Sequence, residues 1–212
     1  MQADYSVELG GDAAALEIPW RSHDGAARYF DLHARPELLL EIDEARRFRE
    51  LGEFLAVVNA PGSPLASAKC DVYATRELNA EEAIFGAPLK LASYVDLVFI
   101  GEQRFSFPAN EDFARALCAL LNKAPEMPSA AEFVIRRCYF HLDVAWPPSA
   151  GSPSGEAAAV DSQAGYCLTF YLSGYGDEET DARQRWNIGM KLVQNAILQL
   201  SVRRAASRQQ VQ

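Results

Sequence analysis

The chain has 212 residues, 49% of them apolar and 23% charged, with a formal net charge of −9. That supplies the side chains for one packed core, and the acidic balance excludes both a general nucleic-acid surface and attachment to an anionic membrane. The run Val95, Leu97, Val98, Phe99, Ile100 is among the longest apolar stretches, far short of the roughly 20 residues that cross a bilayer.

In chain order, Ala15 to Trp20 and Tyr29 to His33 read as strands, rich in β-branched and aromatic residues. From Pro36 to Asn59 the apolar residues Leu39, Ile42, Ala45, Phe48, Leu51, Leu55 and Val58 recur every three or four positions, which predicts one helix with a single apolar face. Pro36 suits its first turn, and Pro61 stops it. Strands follow at Cys70 to Glu77 and Tyr94 to Ile100. A second helix is predicted over Asn110 to Lys123, capped by Asn110, with Glu111 and Asp112 at its positive end and Pro125 beyond it.

Two further strands, Phe133 to Leu142 and Tyr166 to Ser173, flank a stretch from Pro147 to Gly165 rich in proline, glycine and small residues. It reads as a long mobile loop inside one domain. The last helix, Glu178 to Arg204, is the longest, with acidic residues at its start and Arg203 and Arg204 at its end. Its stripe of Ala182, Trp186, Gly189, Val193, Ile197 and Leu200 is widened by Ile188, Met190 and Leu192. A stripe wider than one sheet contact needs predicts a homo-oligomer or another protein partner. Residues 206–212 read as a polar tail.

These elements predict an α+β fold: one domain over residues 1–205, with a mostly antiparallel sheet of about six strands and three helices on one face. Phe48, Phe113 and Trp186 each stand 19 residues after Tyr29, Tyr94 and Cys167. That spacing predicts three strand-strand-helix units, with each ring packed between helix and sheet.

No glycine-rich dinucleotide or phosphate loop, nucleophile elbow or zinc-binding H-E-x-x-H occurs. Gly174 and Gly176 precede Asp177, Glu178 and Glu179, whose charge would repel a phosphate, so they read as a tight strand-to-helix turn. Cys70, Cys118, Cys138 and Cys167 lie far apart among apolar neighbours and read as reduced, buried thiols. Asp4 and Glu8 stand where a signal peptide would be cationic, which with the cysteines predicts a cytoplasmic location.

Two chemistries are legible on the strands. Asp31 with His33, and His141 with Asp143, each place a carboxylate and an imidazole on one strand face. If those strands came together, the four groups could bind a divalent metal or form an acid-base pair; otherwise they are surface or strand-end residues making ordinary hydrogen bonds. Asp96 interrupts an apolar run, so it needs a partner such as Arg136 or Arg137, or a role as a tuned catalytic acid. Tyr73, Arg137, Tyr139 and Tyr171 belong to polar and aromatic sets that alternate with apolar residues, and a sheet covered on one side would leave them on the other.

The sequence therefore predicts a binding or protein-interaction domain acting through a sheet face or the last helix. The alternative is a small hydrolase or lyase using His141 with Asp143, or Asp96 with an arginine. Neither reading calls for a metal or a cofactor.

Overall fold

The computed structural model describes residues 1–10, 16–22, 25, 27–78, 82–141 and 162–209, with side chains described as far as residue 202 and not at 83 or 84. Six strands form one mixed sheet: β1 (Gln2–Glu8), β2 (Leu16–Ile18), β3 (Leu65–Thr75), β4 (Leu89–Phe99), β5 (Ser129–His141) and β6 (Ser162–Gly176). Their order is β1-β5-β6-β4-β3. The pairs β3–β4, β4–β6 and β5–β6 are antiparallel. β1 and β2 both run parallel to β5 and lie one after the other along its edge, residues 2–8 against 130–136 and 16–18 against 138–140. The α+β class and the mostly antiparallel sheet are as the sequence predicts.

Four α-helices accompany the sheet: α1 (Asp43–Arg47), α2 (Arg49–Val58), α3 (Phe107–Leu121) and α4 (Glu179–Gln209). Alternation decides which strand residues meet them. Val95, Leu97, Phe133, Ile135, Phe170 and Leu172 join Phe54, Phe113, Trp186 and Met190 in the main core. Aromatic contacts knit the layers: Phe133 stacks on Phe170 at 5.3 Å, and Phe54 lies 5.7 Å from the same ring.

Several local expectations are corrected. Tyr29 to His33 is not a strand; Arg28 makes an isolated bridge to Arg21, and residues 32–34 turn. The predicted helix 36–59 is a 3-10 helix (Pro36–Glu41) followed by α1 and α2, with extended backbone at Ile42 and Phe48. Those two breaks reset the helical phase, so that Leu38, Leu39, Ile42, Phe48 and the α2 face all turn inward. α3 starts earlier than predicted, and its cap is Ser106, whose Oγ accepts from Ala109 N. Asn110 is instead buried, donating through Nδ2 to Ser106 O at 2.9 Å. β6 begins at Ser162, inside the predicted loop 147–165, and residues 142–161 lie outside the described ones. α4 runs on past Arg204 to Gln209, into the segment predicted as a tail.

After Leu65 the chain runs strand, strand, helix twice, β3-β4-α3 and β5-β6-α4, with Phe113 and Trp186 buried under their helices. The opening residues do not make a third such unit. Tyr29 lies outside any strand, β1 and β2 do not pair with each other, and Phe48 sits at a helix break with its ring 5.7 Å from Trp186.

Candidate functional site

Among the described residues, the sheet face away from the helices is covered at both ends and open in the middle. At one end Ile18, Ala66, Ala68, Val98, Cys138, Phe140 and Cys167 form a second, smaller core. Residues just past β2 cross over it, and Trp20 Nε1 donates to Ala68 O of β3 at 2.7 Å. At the other end a 3-10 helix (Glu82–Phe85) folds over the sheet. Its Glu82 meets Lys90 at 2.6 Å and accepts from Tyr175 OH at 2.8 Å, while Phe85 stacks on the Tyr175 ring at 4.2 Å.

Between these covers the strand register lays polar side chains in rows. Asp71, Tyr94, Tyr171 and Glu132 are successive cross-strand neighbours, and Lys69, Asp96 and Thr169 form the next row. Lys69 reaches this face because of a β-bulge. Ser67 pairs with Leu97 but Lys69 pairs with Asp96, so Ala68 is the extra residue that turns the following side chains over.

A hydrogen-bonded chain runs across the strands. Thr169 Oγ1 donates to Asp96 Oδ1 at 2.6 Å. Arg136 Nη1 donates to Tyr171 OH at 2.8 Å and to Thr169 Oγ1 at 3.4 Å. Glu8, brought opposite Arg136 by the parallel β1, pairs with its Nη2 at 2.8 Å. Asp96, Thr169, Arg136 and Tyr171 line a cleft of about 250 Å³ with Lys69, Tyr94, Leu16, Arg137 and Cys167, and Glu8 stands outside it. A second cleft of about 1250 Å³ shares Leu16, Lys69 and Tyr94 with it and continues past β3 toward Trp20, Phe30 and Ile42. The Lys69 ammonium stands at the join, 5.3 Å from the centre of the Trp20 ring.

Asp96 is the costliest member. It is 8% exposed, and burial lifts its carboxyl above the ordinary range against the opposing pull of Thr169, Lys69 and Arg136. A carboxyl that holds its proton more tightly in the folded chain than in the unfolded one lowers stability when ionised. That cost is absent below the ordinary value near 3.8, grows as pH rises toward the folded value, and is complete above it. Asp96→Asn should therefore match or exceed the wild type in stability at pH 7, by up to about 1 kcal/mol, and lose that advantage as pH falls toward 4. Urea unfolding at both pH values measures it. A variant clearly less stable at pH 7 would make the carboxylate a structural anchor.

Of the residues singled out in the sequence, the structure gathers Asp96, Tyr171 and Arg137 around the small cleft. His141, at the end of β5, is paired instead with Glu17 of β2, Nε2 to Oε2 at 3.2 Å. Asp143 lies outside the described residues. Tyr139 is half-buried opposite Glu17 and lines neither cleft. Tyr73 is 46% exposed and also outside both. Sequence reasoning missed Lys69, Tyr94 and Glu8. Lys69 was within reach, since the alternation of Asp71 and Tyr73 extends back to it.

All four cysteines are free, and burial pushes the Cys70 thiol up to about 12 and the Cys118 thiol up to about 11. Cys138 and Cys167 are buried together in the second core. Among the described residues no cluster of His, Cys, Asp or Glu could hold a metal ion, and no helix is long and apolar enough to cross a membrane. No family model matches the chain, nor does any curated protein or any solved structure.

Proposed function

We propose that this protein binds a small polar molecule in the paired clefts on its open sheet face. The observation that carries the reading is Asp96: a nearly buried carboxyl at the floor of a cleft, held there at a cost to the fold. A chain selected for stability alone would favour an apolar residue there, whereas binding sites commonly retain such groups.

The test is an amide-resolved NMR titration of the full chain with small carboxylates, amines and neutral polyols in turn. At least one class should shift the signals of Lys69, Tyr94, Asp96, Thr169 and Tyr171 together. If no class moves them at millimolar concentration, the cleft is not a binding site.

One observation favours a second reading, an acid-base enzyme. Asp96 and Arg136 share the Thr169 hydroxyl, which sets a carboxyl and a fixed cation side by side. Conversion of the bound molecule during the titration would select that reading. An assembly surface on α4 has a narrower base than its sequence stripe. Met190 is fully buried and Leu192 packs on the core, leaving Ile188, Leu198 and Val202 exposed.

A further inference from the structure

The small cleft is rich in hydrogen-bond donors and poor in acceptors, and this inventory determines what it can hold. Tyr171 OH accepts from Arg136 Nη1, so its own proton is free to point elsewhere, polarised by the guanidinium behind it. Among the described residues, Tyr94 OH and Lys69 Nζ make no direct hydrogen bond to a protein acceptor. The cleft's one carboxyl, Asp96, already accepts from Thr169. Two cationic side chains, Lys69 and Arg136, face the cleft against that single acid, and Glu8 from outside the lining takes Arg136, which leaves Lys69 for a ligand.

The larger cleft has the opposite character. Trp20, Phe30 and Ile42 give it apolar and aromatic surface, and its acidic residues, Glu17, Glu41, Asp43, Glu44 and Asp71, outnumber Arg21, Arg28 and Lys69. A second negative charge on a bound molecule would meet that acidic excess and the net charge of −9 of the whole chain.

Resting on the binding reading above, we propose that the ligand is a monocarboxylate with an apolar or aromatic body. Its carboxylate takes the free donors of Lys69, Tyr94 and Tyr171 in the small cleft, and its body lies against Trp20 and Phe30 in the larger one. Lys69, at the join of the two, is the residue that selects the charge. Arg136 is a positioning residue: its donors are used by Glu8, Thr169 and Tyr171, and it acts by holding the Tyr171 hydroxyl. A ligand amine seeking Asp96 would have to displace Lys69 from beside that carboxyl.

Phenylacetate, phenethylamine and citrate test the assignment, titrated separately against the full chain by amide-resolved NMR. Phenylacetate should shift Lys69, Tyr94 and Tyr171, and phenethylamine and citrate at the same concentration should not. Lys69→Met, a change at an exposed side chain that leaves the fold intact by circular dichroism, should weaken phenylacetate by about tenfold or more. Tyr171→Phe, which keeps the ring and removes only the donor, should weaken it severalfold. Phenethylamine binding with phenylacetate silent overturns the carboxylate assignment but leaves the cleft a site. Phenylacetate affinity unchanged in Lys69→Met overturns the assignment too. Silence from all three probes, with no response to the wider set of carboxylates, amines and polyols, overturns the assignment and the binding reading together.

Discussion

Gly174→Ala should destabilise the protein by about 3 kcal/mol or more, at or beyond the top of the usual range for overpacked sites. A methyl group at Gly174 would fall inside contact distance of Trp186 N and Ala182 O, and 2.8 Å from Trp186 Cα. Those are backbone atoms of α4, which no rotamer change can move aside. The helix would have to lift from β6 along its first turns. Gly176 is equally close to the helix backbone at Ala182 N. Both glycines serve this approach at the tight strand-to-helix turn between Gly176 and Glu179; neither has a positive φ, so close packing and not a left-handed backbone requires them. Chemical denaturation gives the value. A loss below about 1 kcal/mol would mean that α4 rides on side chains and not on the strand itself.

Trp186→Ala should cost about 3–5 kcal/mol, the range for emptying a large aromatic site in a packed core. The indole is fully buried between α4 and the sheet, with Phe48 edge-on at 5.7 Å. Its Nε1 donates to Ser93 Oγ at 2.8 Å, so truncation also leaves that buried hydroxyl without its donor. Trp186→Phe should recover most of the loss, since it keeps a ring and removes the donor. Gly174 and Trp186 lie in one contact, so the double variant should lose less than the two single losses added together. Strict additivity would show that the two residues report on separate interactions. A loss under about 2 kcal/mol in Trp186→Ala would mean that the neighbouring side chains refill the space.

The centres of β3 to β6 were legible in the sequence because alternation over an inward apolar face is a local signal. β2 was read from its β-branched and aromatic run. β1 carries the same alternation, Ala3, Tyr5 and Val7 against Asp4, Ser6 and Glu8. That alternation is a weak signal because the run is short and polar, as an edge strand often is. The helix breaks at Ile42 and Phe48 were not legible, because a break that restores an apolar face leaves the apolar spacing almost unchanged. Asp96 was legible as a residue needing a partner. That Thr169 stands next to it depends on a register between residues 73 apart, and that Arg136 stands one step further, with Arg137 turned away, on one between residues 33 apart. The Glu17–His141 pair depends on β2 joining β5 from 124 residues away, and no local pattern encodes that.

The two parallel segments along one edge of β5 also set an order of events. Residues 2–8 emerge before their pairing partners at 130–136, which are made 128 residues later. The β5–β6 hairpin can close within its own stretch, whereas its outer edge pairs only once it meets a segment 128 residues earlier in the chain. Closing so long a loop is slow chiefly because little is gained until the ends meet. For that interval β5 presents an unpaired rim to neighbouring nascent chains, the stage at which mispairing and aggregation compete with folding. Asn122, whose side-chain amide bonds both the N–H and the C=O of Ala3 at 2.9 and 2.8 Å, acts as a latch that holds the late strand once it arrives.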